Sequence, residues 1–136
     1  MRKAPQPPPF RLAGIEHVLL LVNNLEEALA FYEGALGATV ESRLPKHAMV
    51  ELRVGSSHLD LVDVSVSEGA WAAPPVAGGR NVDHVAVRVD APDKNALRRH
   101  LTERSVEIFE ERIEEPDGGV SFYVRDPSGN VVELMT

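Results

Sequence analysis

The chain carries an internal repeat, and this limits its fold more than any other feature. Gly14-Ile15-Glu16-His17-Val18-Leu19-Leu20-Leu21-Val22 returns as Asn81-Val82-Asp83-His84-Val85-Ala86-Val87-Arg88-Val89. Each copy is an acidic residue, a His and an apolar run of strand length. Each run leads into a helix-like segment. Each half later carries a carboxylate inside another strand-like run: Asp60 in His58-Leu59-Asp60-Leu61 and Glu133 in Val131-Val132-Glu133-Leu134. A module that occurs twice and supplies one His and one carboxylate per copy can build a metal site on a pseudo-twofold axis.

Residues 15–22 are apolar on both faces, as expected of a strand covered on both sides. Asn24 is a good N-cap with Glu27 three residues on. Leu25, Ala28, Leu29, Tyr32 and Leu36 recur at helical spacing before Gly37, which predicts a helix over 25–36. Strands are expected over 39–43, 48–54 and 58–64, with Gly55-Ser56-Ser57 turning between the last two. Residues 65–80 are rich in Ala, Gly and Pro and read as a linker. Trp71 is its only large apolar side chain, expected to dock on the core or line a cavity mouth. In the second copy Pro92 and Asp93 mark a helix start, and Ala96, Leu97 and Leu101 form its stripe. Strands are expected over 106–110, 120–125 and 130–135. An acidic loop over 114–119 precedes the second of these, and Asp126-Pro127-Ser128-Gly129 turns before the third.

Both halves therefore read strand, helix, three strands. The expected fold is α+β, two βαβββ modules whose curled mixed sheets form a metal cavity. Module one spans 14–64, the linker 65–80 and module two 81–136. They form a single domain over 13–136, after a Pro-rich arm over 1–12 that is expected to be disordered.

The 136 residues are 43% hydrophobic and 26% charged, a globular composition. A net charge of −7 argues against nucleic acid and anionic membrane as partners. The absence of Cys excludes disulfides, thiolate metal sites and Cys nucleophiles. No run approaches the length of a membrane span and no secretory signal is evident. The expected setting is cytoplasmic, with a small-molecule substrate.

Strand residues alternate faces. His17 shares a face with Leu19 and Leu21, Asp60 with His58 and Val62, His84 with Ala86 and Arg88, and Glu133 with Val131 and Met135. The opposite faces are uniformly apolar and must pack under the helices, so the titratable groups lie on the concave sides. Two neutral imidazoles with one or two carboxylates suit a divalent Zn, Ni, Co, Mn or Fe. A lone His at a strand start is more often a satisfied core residue. Two at repeat-equivalent positions, each with an in-strand carboxylate, point instead to a ligand set. A Glu133 buried between Val132 and Leu134 needs a partner or a metal. His58 either orients the ligands or substrate or is a solvated residue after a turn. Arg88 either holds a substrate anion or is a surface residue at a strand end. Tyr123 is either an inward proton donor or a core aromatic of its strand. His100 is expected at the surface.

These residues resemble the vicinal oxygen chelate superfamily, which includes glyoxalase I, extradiol dioxygenases and bleomycin resistance proteins. The likeness covers 14–135. It rests on Ile15-Glu16-His17, Val82-Asp83-His84-Val85-Ala86 and the run from Phe122 through Asp126-Pro127-Ser128-Gly129-Asn130 to Glu133 and Leu134. It implies His17, His84 and Glu133 as metal ligands, Asp60 at the variable fourth position, and a homodimer. Glyoxalase I-like enzymes carry Glu at that fourth position. They also hold glutathione with Arg and Asn, where this chain has Leu21 and Val64. The extradiol signature is half present: Tyr123, Asp126, Pro127, Gly129 and Glu133 match, while the His expected before Phe122 is absent. The resemblance implies a metal-dependent lyase or isomerase acting on a small oxygen-chelating substrate through a metal-stabilised enediolate. Glu133 or Asp60 would move the proton and Arg88 would hold an anion. An extradiol-type dioxygenase and a non-catalytic antibiotic-binding module are the alternatives.

Overall fold

A computed structural model describes residues 15–72, 82, 84–114 and 118–136. The expected Pro-rich arm and linker residues 73–80 lie outside them. Module one runs β1 (His17–Val22), α1 (Leu25–Leu29), β2 (Thr39–Leu44), β3 (Met49–Val54) and β4 (Ser57–Asp63). Module two runs β5 (Val85–Arg88), α2 (Lys94–Glu103), β6 (Ile108–Glu114), β7 (Gly119–Arg125) and β8 (Val131–Met135). The strand orders are β1-β4-β3-β2 and β5-β8-β7-β6. β1 runs parallel to β4 and β5 to β8, and all other pairs are antiparallel. The architecture is thus α+β, two four-stranded mixed sheets of one topology.

Local chemistry accounts for most boundaries. Asn24 caps α1 by accepting from the Glu27 amide at 3.0 Å, and Asp63 at the end of β4 accepts from the Leu25 amide at 3.1 Å. The helix predicted over 25–36 is continuous but changes pitch. It is α-helical only to Leu29 and widens into a π-helical turn over Ala30–Ala35. That turn buries the adjacent Phe31 and Tyr32 together with Ala35. Gly37, at φ +80°, ends it. Asp93 is the cap of α2, accepting from the Asn95 and Ala96 amides at 3.0 and 3.1 Å, so Pro92 precedes the helix instead of opening it.

Two expectations are corrected. The strand expected over 106–110 runs over Ile108–Glu114, because the Val106 amide still bonds back to Leu101 O of α2 at 2.8 Å. Part of the expected acidic loop is therefore strand. The expected linker begins with an ordered 3₁₀ turn, Ser67–Ala72. Its Trp71 does not dock on the core. The side chain is 56% exposed, with Nε1 donating to His47 O at 3.1 Å and the indole edge-on to the His47 ring.

Both modules feed one core. Leu20, Val22, Val50, Leu52, Leu59 and Leu61 from the first sheet meet Phe122, Val124, Val132 and Leu134 from the second, with Phe31, Tyr32 and Leu101 between. The Asp126–Asn130 turn latches the modules. Asp126 is 4% exposed and its Oδ2 accepts from the Tyr32 hydroxyl at 2.8 Å. Asn130 Nδ2 donates to Leu21 O at 3.0 Å, and Ser128 Oγ accepts from the Asn23 amide at 2.8 Å. Burial, and then the Asp126 charge, hold the Tyr32 phenol far above its ordinary pKa, so it stays a donor.

Candidate metal centre

Register places the site residues. Across the first sheet His17, His58 and Arg53 form one row, and Leu19, Asp60 and Glu51 the next. Across the second, Ala86, Glu133 and Tyr123 form a row, with Arg88, Met135 and Ser121 beside it. All of these project from the faces opposite the core, as strand alternation predicts.

In module one, Nε2 of His17 lies 3.9 Å from Asp60 Oδ2. Asp60 is 3% exposed, and its Oδ1 is buried without a hydrogen-bond partner among the described residues. Burial, reinforced by the neighbouring Glu51 and opposed by His17, pushes its pKa up. An oxygen of a carboxylate left in this state is poised to take a cation. In module two, Nε2 of His84 lies 3.0 Å from Glu133 Oε1. Glu133 is also buried, and its Oε2 accepts from the Ser121 hydroxyl at 2.8 Å. Each module thus aims one imidazole Nε2 at one buried carboxylate, a donor set that fits a divalent first-row metal.

The four expected ligands do not come together within one chain. No group of three or more His, Asp or Glu side chains suited to a metal forms among the described residues. The reason is the shared core: sheets that pack through their helix-covered faces turn their other faces to opposite sides. The structure gives two separate His–carboxylate pairs, His17 with Asp60 and His84 with Glu133.

Tyr123, 8% exposed, packs edge-on to His84 at 5.9 Å, with the Arg112 guanidinium over its ring at 5.3 Å. It is an aromatic of its strand that lies against His84. Arg88 is exposed on the His84 face. His58 is partly exposed, and Glu16 and Glu41 flank its ring. Glu41 and then Glu16 raise its pKa. His100, exposed as expected, nonetheless donates from Nε2 to Ala35 O at 2.8 Å and so ties α2 to module one. Sequence reasoning gave no role to Ser121 or Glu16. Ser121 and Glu51 follow from alternation once the register is known, as Ser121 stands two residues before Tyr123 and Glu51 stands opposite Asp60. A cavity of about 620 Å³ lies elsewhere, between the modules on the core side. Leu36, Leu59, Leu97 and Val132 line it and Arg88 borders it. Neither His–carboxylate pair reaches it.

No helix among the described residues is long and apolar enough to cross a membrane. Residues 14–134 match the model of the Glyoxalase/Bleomycin resistance protein/Dioxygenase superfamily. The chain is 31% identical over 124 residues to glutathione transferase FosA of Serratia marcescens, covering 90% of this chain and 80% of that protein. It is 30% identical over 137 residues to the mitochondrial methylmalonyl-CoA epimerase of Bos taurus, covering 93% and 76%. Among solved structures, lactoylglutathione lyase from Agrobacterium tumefaciens superposes with a TM-score of 0.70 at 24% identity, covering 96% of this chain and 95% of that one. The fold and these matches agree: the chain belongs to the glyoxalase/bleomycin resistance protein/dioxygenase superfamily, whose members include lyases, epimerases and transferases.

Proposed function

We propose that the protein is a metal-dependent glyoxalase-like lyase or isomerase that works as a homodimer with one divalent metal per chain. The observation that carries this reading is the buried Asp60, with one oxygen unpartnered and Nε2 of His17 beside it, matched by Glu133 beside Nε2 of His84. Each pair is half of a two-nitrogen, two-oxygen ligand set. A second copy completes it, joining His17 and Asp60 of one protomer to the partner's His84 and the partner's Glu133. β1 and β5 are both edge strands. Ala86 is exposed and Leu19 and Leu21 are only partly buried, so the faces that carry the half-sites still have apolar surface to cover.

Zn, Ni, Co, Mn or Fe would supply Lewis acidity that stabilises an oxyanion developing on a small oxygen-chelating substrate, a contribution of several kcal/mol. The chain supplies the proton chemistry. Glu133 has the longer reach and moves the proton, with Asp60 second. Ser121 holds Oε2 of Glu133 and so directs its other oxygen into the site. Arg88 binds an anionic group of the substrate, and Tyr123 walls the site against His84. The activities of the relatives, an epimerase and a glutathione transferase, support enzymatic over purely binding chemistry. The placement of Tyr123 against His84 favours the extradiol-type dioxygenase as the second reading.

Light scattering should give about twice the 14.9 kDa chain mass. Metal-loaded protein should work without oxygen and exchange a substrate α-proton with deuterated water. Turnover that requires iron and consumes oxygen would replace this reading with the dioxygenase. Metal uptake below about a tenth of an equivalent after reloading would leave a small-molecule binding module.

A further inference from the structure

We propose that Glu16 is a positioning residue that sets which ring nitrogen of His17 faces the metal. This rests on the reading of His17 as a ligand. Glu16 bridges two imidazoles: one carboxylate oxygen meets Nδ1 of His17, and the other lies 2.9 Å from Nδ1 of His58. With Nδ1 engaged, Nε2 is the His17 atom turned to Asp60. An imidazole that ligates through Nε2 must carry its proton on Nδ1, and an acceptor at Nδ1 selects that tautomer.

The bridge is braced at its far end. His58 Nε2 meets Glu41, and Arg53 clamps Glu41 with Nε and Nη2 at 2.7 and 2.6 Å. Arg53, Glu41, His58 and Glu16 thus alternate in sign up to the ligand. The backbone builds the same geometry. His17 and His58 are register partners across the parallel β1–β4 pair, and the His58 amide donates to Glu16 O at 3.1 Å. A carboxylate one residue before the first ligand is therefore held between the two rings.

The test has a metal-free arm and a zinc arm. Long-range proton–nitrogen NMR of the metal-free protein near pH 8 should show His17 protonated on Nδ1. Glu16→Ala should shift it towards the Nε2-protonated tautomer, while Glu16→Gln, which keeps an oxygen acceptor, should retain it. Chelator competition should show zinc affinity falling about 10–100-fold in Glu16→Ala, with Glu16→Gln recovering most of the loss. An unchanged tautomer in Glu16→Ala, or zinc affinity within about twofold of wild type, would overturn the proposal. Failure of the wild type to take up zinc would instead overturn the ligand reading, and the NMR arm reports on Glu16 either way.

Discussion

Replacing Asp60 with Asn should stabilise the metal-free protein and weaken the metal-loaded one. Asp60 is 3% exposed, with Oδ1 unpartnered, and a buried polar atom left in that state costs about 1–3 kcal/mol. Asn removes the charge while keeping the shape, so a gain of about 1 kcal/mol is expected without metal. For a chain of this size that corresponds to about 4 °C in Tm. With zinc at about 100 times its Kd, the wild type gains about 2.7 kcal/mol. A 100-fold weaker site gains only about 0.4 kcal/mol at the same zinc. The order of stability should therefore cross, with the variant ahead by about 1 kcal/mol without zinc and behind by about as much with it. Burial raises the Asp60 pKa, so the penalty falls on the ionised form. It is absent below the unfolded value near 3.8 and grows as pH rises through the raised folded value. The metal-free gap between the two proteins should close as pH falls towards 4. Thermal melts with and without zinc across this range decide the matter. A metal-free variant less stable than wild type would refute the burial argument. A crossing that fails because zinc stabilises both proteins equally would remove Asp60 from the ligand set.

Tyr32→Phe removes the hydroxyl that Asp126 accepts. The loss should be about 1.5–3 kcal/mol, read as a Tm drop of about 5–10 °C at unchanged zinc content; a drop under about 2 °C would mean that other contacts hold the modules together. Burial alone would raise the Asp63 pKa, but hydrogen bonds from Ser65 and Leu25 outweigh it and leave it lowered. Asp63→Ala should thus cost about 1–2 kcal/mol in urea denaturation at pH 7, and the cost should vanish as pH falls below the ordinary carboxylate range through that lowered value; a cost independent of pH would point to packing. At Gly69 an added Cβ would sit 1.6 Å from Asp63 O, so Gly69→Ala must push the 3₁₀ turn off β4. A loss of about 1–3 kcal/mol is expected, and an unchanged denaturation midpoint would show that the turn is not held there.

Much of this molecule was legible in the sequence, because the informative signals were local or periodic. The repeat around His17 and His84 identified the two modules. Two-residue alternation put His17, Asp60, His84 and Glu133 on the faces away from the helices, as the strand register bears out. Asn24, Gly37 and Asp93 marked helix ends because capping depends on a few adjacent atoms. Boundaries failed where a neighbour in space intervened, as when Val106 bonded back to α2 and delayed β6. Trp71, the one large apolar side chain of its stretch, was expected to dock on the core or line a cavity mouth, but the 3₁₀ turn carries it to the surface. The bridge from Glu16 to His58 spans 42 residues and exists only because β4 returns parallel to β1. Whether the two His–carboxylate pairs share one cavity was likewise beyond any local pattern. A strand's period says which residues share a face, but it does not say which faces will meet. That choice falls to the packing of the apolar sides: here both sheets bury theirs in a common core, and His17, Asp60, His84 and Glu133 stand on the faces opposite it.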